Sequence, residues 1–65
     1  MDMNQAGERL RKLRGSRTQE EVAAAVGISR AALCQYEKGT RVPRDAVKIR
    51  LAEYYKRSVN YIFYA

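Results

Sequence analysis

The 65-residue sequence predicts an all-α protein, a compact bundle of about five helices that forms one domain over residues 1–65. Three observations lead to this class. Apolar residues recur at helical spacing along most of the chain. Glycines and helix-capping residues separate these stretches at short intervals. Because so short a chain buries only a modest fraction of its surface, helices with local contacts are the simplest way to form a core.

The first helix is predicted to start near Asp2, which can cap it. Apolar residues fall on one side of this helix: Met3, Ala6, Leu10 and Leu13. Basic residues surround the rest: Arg9, Arg11, Lys12 and Arg14. A basic helix face can attract phosphate or an anionic membrane surface, but a solvated face is the simpler interpretation for Arg11 and Lys12. We expect the apolar side to close over the segment that follows.

Residues 19–38 predict two short helices that meet at a glycine turn. Thr18 followed by Glu21 has the spacing of a capping box, which places a helix start just before this segment. Gly27 can adopt the positive φ that ends the first helix, and Ser29 is a good N-cap for the second. Two helices joined by so tight a turn form a helix-turn-helix.

The spacing of the side chains gives this motif an inner and an outer face. The inner apolar residues are Val22, Ala23, Val26, Ile28, Leu33 and Tyr36. At about 100° per residue, the outer face of the second helix carries Ala31, Cys34, Gln35 and Lys38, with Arg30 at its edge. Short and polar side chains suit the major groove of DNA, where they let a helix approach the base edges. Ordinary solvent exposure is the simpler alternative.

Base readout can be assigned to four of these residues by their chemistry. Arg30 can donate two hydrogen bonds to guanine O6 and N7, and Gln35 can pair with adenine N6 and N7. Ala31 can touch a thymine methyl group. Cys34 lies between them, where duplex DNA would press against it, and a small neutral filler is a simpler role for it than a redox switch.

Beyond the motif, Gly39 and Pro43 mark a loop that leads into a helix over about 44–55. The residues expected at backbone phosphates are Ser29, Lys38, Thr40, Arg41 and Arg44. The apolar face of the new helix is formed by Leu51, Ala52 and Tyr55. Lys48 lies close to that face, so that either its stem snorkels or the helix is rotated.

Ser58 is predicted to cap a short last helix, which is heavily apolar for so small a domain. Val59 and Ile62 are enough to complete the core. The remaining apolar residues, Tyr61, Phe63 and Tyr64, therefore predict a dimer surface.

Five runs of the sequence resemble the Cro/CI-type (XRE) family of helix-turn-helix transcriptional regulators: residues 8–14, 18–23, 27–30, 35–39 and 41–43. The resemblance implies a lambda-repressor-like fold and double-stranded DNA as partner. It also implies that Arg14 pairs with Glu37, and that Gln19 faces a phosphate at the start of its helix. The turn at 15–17 is shorter than is usual in that family, and Arg17 stands where an apolar residue is normal.

Composition narrows the function further. Thirteen lysines and arginines against seven acidic residues give a net charge of +6, which favours nucleic acid, with an anionic membrane as the competitor. One cysteine and no histidine exclude a disulfide framework and a Cys/His zinc site, and they fit a reducing cytoplasm. Without histidine the usual general base is missing, so we expect a non-enzyme with no cofactor and no metal. No apolar run approaches the ~20 residues of a membrane span, and the polar start of the chain does not resemble a signal peptide.

The function expected is a sequence-specific, DNA-binding transcription regulator, a homodimeric repressor that reads a two-fold symmetric operator. Its two recognition helices would lie about 34 Å apart. One alternative is an antitoxin-like or adaptor module that uses the same fold to bind a partner protein. The other alternative, an anionic-membrane binder, ranks lower because the apolar stripe of the first helix is needed for the core.

Overall fold

The computed structural model describes residues 3–65, with side chains from Gln5 onward. The helices are α1 (Met3–Arg14), α2 (Gln19–Val26), α3 (Arg30–Lys38), α4 (Asp45–Tyr55) and α5, a single π-helical turn (Asn60–Tyr64). The described residues contain no strand, and the predicted all-helical class with about five helices is confirmed. The proposed cap at Asp2 and the Met3 side chain lie outside the described residues.

Local capping sets the limits of the helix-turn-helix. The Thr18 hydroxyl accepts a hydrogen bond from the Glu21 backbone N–H at 3.1 Å, which starts α2. Gly27 ends that helix in the left-handed conformation, with φ of 83°, which a side chain would disfavour. The Ser29 hydroxyl then accepts from the Ala32 backbone N–H at 3.0 Å and starts α3. The turn is therefore built from contacts within a few residues of chain.

Every helix contributes to a single core. Helix α1 packs against α3 and α5, and α2 packs against α3 and α4. The largest fully buried side chains are Leu10, Val22, Leu33, Leu51, Ile62 and Phe63. One side of α3 packs into this core, and its opposite side remains exposed at the surface.

A glycine in α1 allows the close crossing of α1 and α3. A Cβ atom added to Gly7 would lie 2.4 Å from the Glu37 carbonyl oxygen and 2.9 Å from that of Tyr36. Those are backbone atoms of α3, so any side chain at this position would push the two helices apart. The absent side chain lets α1 lie directly on the last turns of α3.

The position of Lys48 resolves the alternative that the sequence left open. Leu51, Ala52 and Tyr55 are all buried, so that α4 keeps its expected apolar face, and Lys48 is buried with them at 8% exposure. Its ammonium lies 4.9 Å from the ring centre of Tyr64 and donates to that hydroxyl at 2.7 Å. Helix α4 is therefore not rotated, and the lysine is held by the last turn of the protein.

The last turn corrects one part of the predicted dimer surface. Phe63 is fully buried beside Ile62 in the core, so its assignment to a dimer surface is wrong. Two consecutive residues of the single turn of α5 are buried, because the turn packs against α1 and contributes both side chains to the core. Tyr61 and Tyr64 are exposed, at 47% and 52%. No helix in the described residues has the length and apolar character needed to cross a bilayer.

Candidate nucleic-acid interface

The surface of α3 that faces away from the core carries the residues expected to read bases. Arg30, Ala31 and Gln35 are exposed and Cys34 is partly exposed, whereas Leu33 on the opposite side is fully buried. Lys38 extends the same exposed face at the end of the helix. The structure therefore brings these residues together on one side of α3.

A partly buried ion pair ties α1 to α3 behind this face. The Arg14 guanidinium contacts the Glu37 carboxylate through two hydrogen bonds, Nε to Oε2 at 2.8 Å and Nη2 to Oε1 at 3.0 Å. The side chains are 18% and 3% exposed respectively. Hydrogen bonding to Glu37 raises the pKa of Arg14 above its ordinary value. The two parallel bonds fix the orientation of α3 relative to α1.

The third nitrogen of the Arg14 guanidinium secures the turn at 15–17. Its Nη1 donates to the Arg17 carbonyl oxygen at 2.8 Å. The Arg17 side chain in turn lies over the Tyr54 ring, with its guanidinium carbon 5.4 Å from the ring centre. A cation–π contact thus stands where an apolar contact was expected.

Gln19 connects the Arg14–Glu37 ion pair to the exposed face of α3. Its Nε2 donates to Glu37 Oε1 at 3.0 Å, and its Oε1 accepts from Arg30 Nη1 at 3.5 Å. Because a carboxylate only accepts hydrogen bonds, Glu37 determines which end of the amide faces Arg30. The side chain of Gln19 is thus engaged within the protein.

Glu20 contacts a residue of the candidate interface, and the sequence did not predict this contact. Its carboxylate lies 3.9 Å from Arg30 Nε, and the two side chains are 73% and 56% exposed. Such an exposed pair contributes little to stability, so Arg30 can exchange it for another partner. The contact crosses the turn between α2 and α3, and no local sequence signal indicates it.

The loop between α3 and α4 lies beside the exposed face of α3. Thr40, Arg41 and Arg44 are exposed there, next to Lys38 at the end of α3. Among the residues whose side chains are described, none of these three cations has a carboxylate within 4.0 Å. Uncompensated positive charge beside an exposed helix face suits the phosphates of a duplex.

The described residues contain no cluster of acidic, cysteine or histidine side chains that could hold a metal ion.

A family model described as a helix-turn-helix domain matches residues 5–60 of the chain. The matched stretch includes α2, the turn, α3 and every residue placed on the interface above. No curated protein and no solved structure matches the chain.

Proposed function

Since the chain belongs to this helix-turn-helix domain family, we propose that it is a sequence-specific DNA-binding transcription regulator of the cytoplasm, a dimeric repressor of the Cro/CI kind. The observation that carries the proposal is the exposed face of α3, held at a fixed angle by the Arg14–Glu37 pair. A rigid helix with short and polar outward side chains fits the width of the major groove.

Base recognition in this proposal belongs to the first and second turns of α3. Arg30 leaves Glu20 and donates to guanine O6 and N7, while Ala31 touches a thymine methyl group. Gln35 reads a second base edge one turn further along the helix. Cys34 contributes its small size, because a larger side chain would hold the helix away from the bases.

Phosphate contacts position the helix without specifying sequence. The groups we assign to them lie at the two helix starts and in the loop after α3: Gln19, Ser29, Lys38, Thr40, Arg41 and Arg44. For Gln19 the contact comes from the backbone N–H groups at the start of α2, because its side chain is engaged with Glu37 and Arg30. The net charge of +6 supports attraction to a duplex as a whole.

Dimerisation would place two such helices in successive major grooves of a two-fold symmetric operator, and occupancy would then exclude the polymerase. Support comes from Tyr61 and Tyr64, which leave apolar surface exposed on the last turn. Sedimentation should show dimers whose population rises with concentration, and Tyr61→Ser should weaken them without unfolding the monomer. A monomer at every accessible concentration that also binds DNA without cooperativity would remove the dimer from the proposal.

Selection of bound duplexes from a random pool tests the proposal directly. Arg30→Ala and Gln35→Ala should each lose about 1–3 kcal/mol of binding to the selected duplex and relax mainly one base pair per half-site. Lys38→Ala and Arg44→Ala should instead weaken all sequences alike.

Arg50→Ala is the matched control, because it removes an exposed arginine of α4 outside the interface. It should leave the selected sequence and the affinity close to those of the parent chain. Equal affinity for the selected and a scrambled duplex would refute specific DNA recognition and would favour the protein-interaction module instead.

A further inference from the structure

We infer that Arg41 determines which base Gln35 reads, by holding the Gln35 carboxamide so that its N–H groups, and not its oxygen, face the DNA. The inference rests on the proposed function and goes beyond it, because Arg41 is there assigned to a phosphate. It makes Arg41 a positioning residue for base recognition.

The chain path brings Arg41 back over the end of α3. The Thr40 backbone N–H donates to the Gln35 carbonyl oxygen at 3.1 Å, and the Thr40 hydroxyl donates to the same oxygen at 3.3 Å. These two bonds fold the loop onto the last turn of the helix. The residue that follows Thr40 therefore starts beside Gln35 rather than at a distance from it.

A buried aromatic ring then holds the Arg41 guanidinium in place. Its central carbon lies 5.7 Å from the centre of the Tyr36 ring, and Tyr36 is only 4% exposed. A guanidinium over the face of a fixed ring is attracted by the ring quadrupole and loses much of its freedom. Tyr36 thus provides a rigid support for a side chain that is otherwise at the surface.

From this position Arg41 fixes the orientation of the Gln35 amide. Its Nη1 donates to Gln35 Oε1 across 3.4 Å. A guanidinium has donors and no acceptor, so only the oxygen of a carboxamide can face it. The Gln35 oxygen is consequently turned towards the loop, and its Nε2 group, with two N–H donors, is left for a base edge.

The orientation of the Gln35 carboxamide determines which base its side chain can pair with in the major groove. Pairing with adenine needs the amide oxygen and nitrogen together, because adenine presents one donor and one acceptor in the major groove. Guanine presents two acceptors, O6 and N7, which match an amide that offers its N–H groups. Cytosine presents only a donor there and is rejected. With Arg41 in place, Gln35 should therefore prefer guanine over adenine.

Arg44 is the matched control for this effect. It is an exposed arginine of the same loop, and within residues 5–65 its side chain donates no hydrogen bond to Gln35. Arg44→Ala removes the same charge as Arg41→Ala, so the two variants share any loss that comes from phosphate attraction alone.

The contact is tested first in the free protein. In a 1H–15N spectrum, the side-chain amide signals of Gln35 should shift in Arg41→Ala and stay in place in Arg44→Ala. Unchanged Gln35 signals in Arg41→Ala would overturn the inference without any reference to DNA. The same spectra report whether each variant is folded.

Selection from a random duplex pool then tests the consequence. Gln35→Ala identifies the base pair that Gln35 reads, because preference there is lost. At that base pair the parent chain should select guanine, Arg41→Ala should move the guanine-to-adenine ratio towards adenine by about tenfold, and Arg44→Ala should leave the ratio unchanged.

A selective parent chain whose preference at this base pair is the same in Arg41→Ala would overturn the inference and leave the proposed function standing. A parent chain that selects no sequence would refute the proposed function, and the role of Arg41 would fall with it.

Discussion

Replacing Tyr55 with phenylalanine should stabilise the domain. Tyr55 is 7% exposed, and its ring packs edge-on against Tyr54 with the ring centres 5.1 Å apart. Its hydroxyl is buried and has no hydrogen-bond partner in the part of the chain that the structure describes. Phenylalanine keeps the ring and its packing and removes only this oxygen.

The size of the gain follows from the cost of burying an unpaired hydroxyl, which is about 1–3 kcal/mol in proteins. Taking the lower end, because the protein can relax slightly around the group, Tyr55→Phe should raise the free energy of unfolding by about 1 kcal/mol. For a domain of this size that corresponds to a rise in Tm of roughly 4–8 °C.

The same residue predicts a loss of stability in alkali. Burial raises the pKa of Tyr55 from 10.0 to about 12, and the nearby Glu37 carboxylate adds to the effect. Below pH 10 the Tyr55 phenol is neutral in both the folded and the unfolded chain, so its titration does not change the free energy of unfolding there. Between about pH 10 and 12 the unfolded chain releases the proton while the folded chain keeps it, and about 2 kcal/mol of stability is lost.

Urea unfolding followed by circular dichroism at pH 7 and pH 11 measures both effects. Tyr55→Phe should be more stable than the parent at pH 7 and should lose less stability at pH 11, because it has no phenol at this site. Tyr54→Phe is the control: it removes a hydroxyl from the neighbouring, partly exposed ring and should change stability at pH 7 by less than about 0.5 kcal/mol. The reasoning is refuted if Tyr55→Phe is no more stable than the parent at pH 7. It is also refuted if Tyr55→Phe and the parent lose the same free energy of unfolding between pH 7 and pH 11.

Three further predictions concern the helix crossing, the ion pair and the recognition face. Gly7→Ala should lower stability by about 1–3 kcal/mol, since its Cβ would lie 2.4 Å from the Glu37 carbonyl oxygen, and an unchanged Tm would contradict this. Arg14→Ala should cost about 3 kcal/mol because, among the residues whose side chains are described, Glu37 then keeps only Gln19 as a partner, and a double-mutant cycle without coupling would contradict the pairing. A bulky adduct on Cys34 should abolish binding to the selected duplex with helicity unchanged, bound duplex should slow the labelling, and labelled protein of full affinity would show that α3 does not enter the groove.

Features that depend on neighbouring residues could be predicted from the sequence. Thr18, Gly27 and Ser29 set the limits of α2 and α3 through hydrogen bonds and backbone angles that span three or four residues. The division of α3 into a buried side with Leu33 and an exposed side with Gln35 follows from helical spacing alone. The all-helical class and the helix-turn-helix could therefore be predicted from the sequence.

The resemblance to a known family predicted a contact that the spacing of residues along the chain could not predict. Nothing in the residues themselves joins Arg14 to Glu37 across 23 positions of chain, and the pairing was expected only because a known family has it. The structure gives that pair its geometry, with two parallel bonds and a nearly buried carboxylate. It also adds Gln19 as the link between the pair and Arg30.

Tertiary structure alone decided where the side chains at the end of the chain lie. The aromatic excess of α5 indicated a partner surface, yet Phe63 fills the core and Lys48 is held by the Tyr64 hydroxyl. Composition gives the number of apolar side chains, whereas burial depends on how α5 meets α1 and α4. In the same way, the contact of Arg41 with Gln35 depends on how the loop folds back over Tyr36. Local sequence determines the helices and which of their faces are apolar. Contacts between helices depend on how those faces pack, and that packing involves residues far apart in the chain.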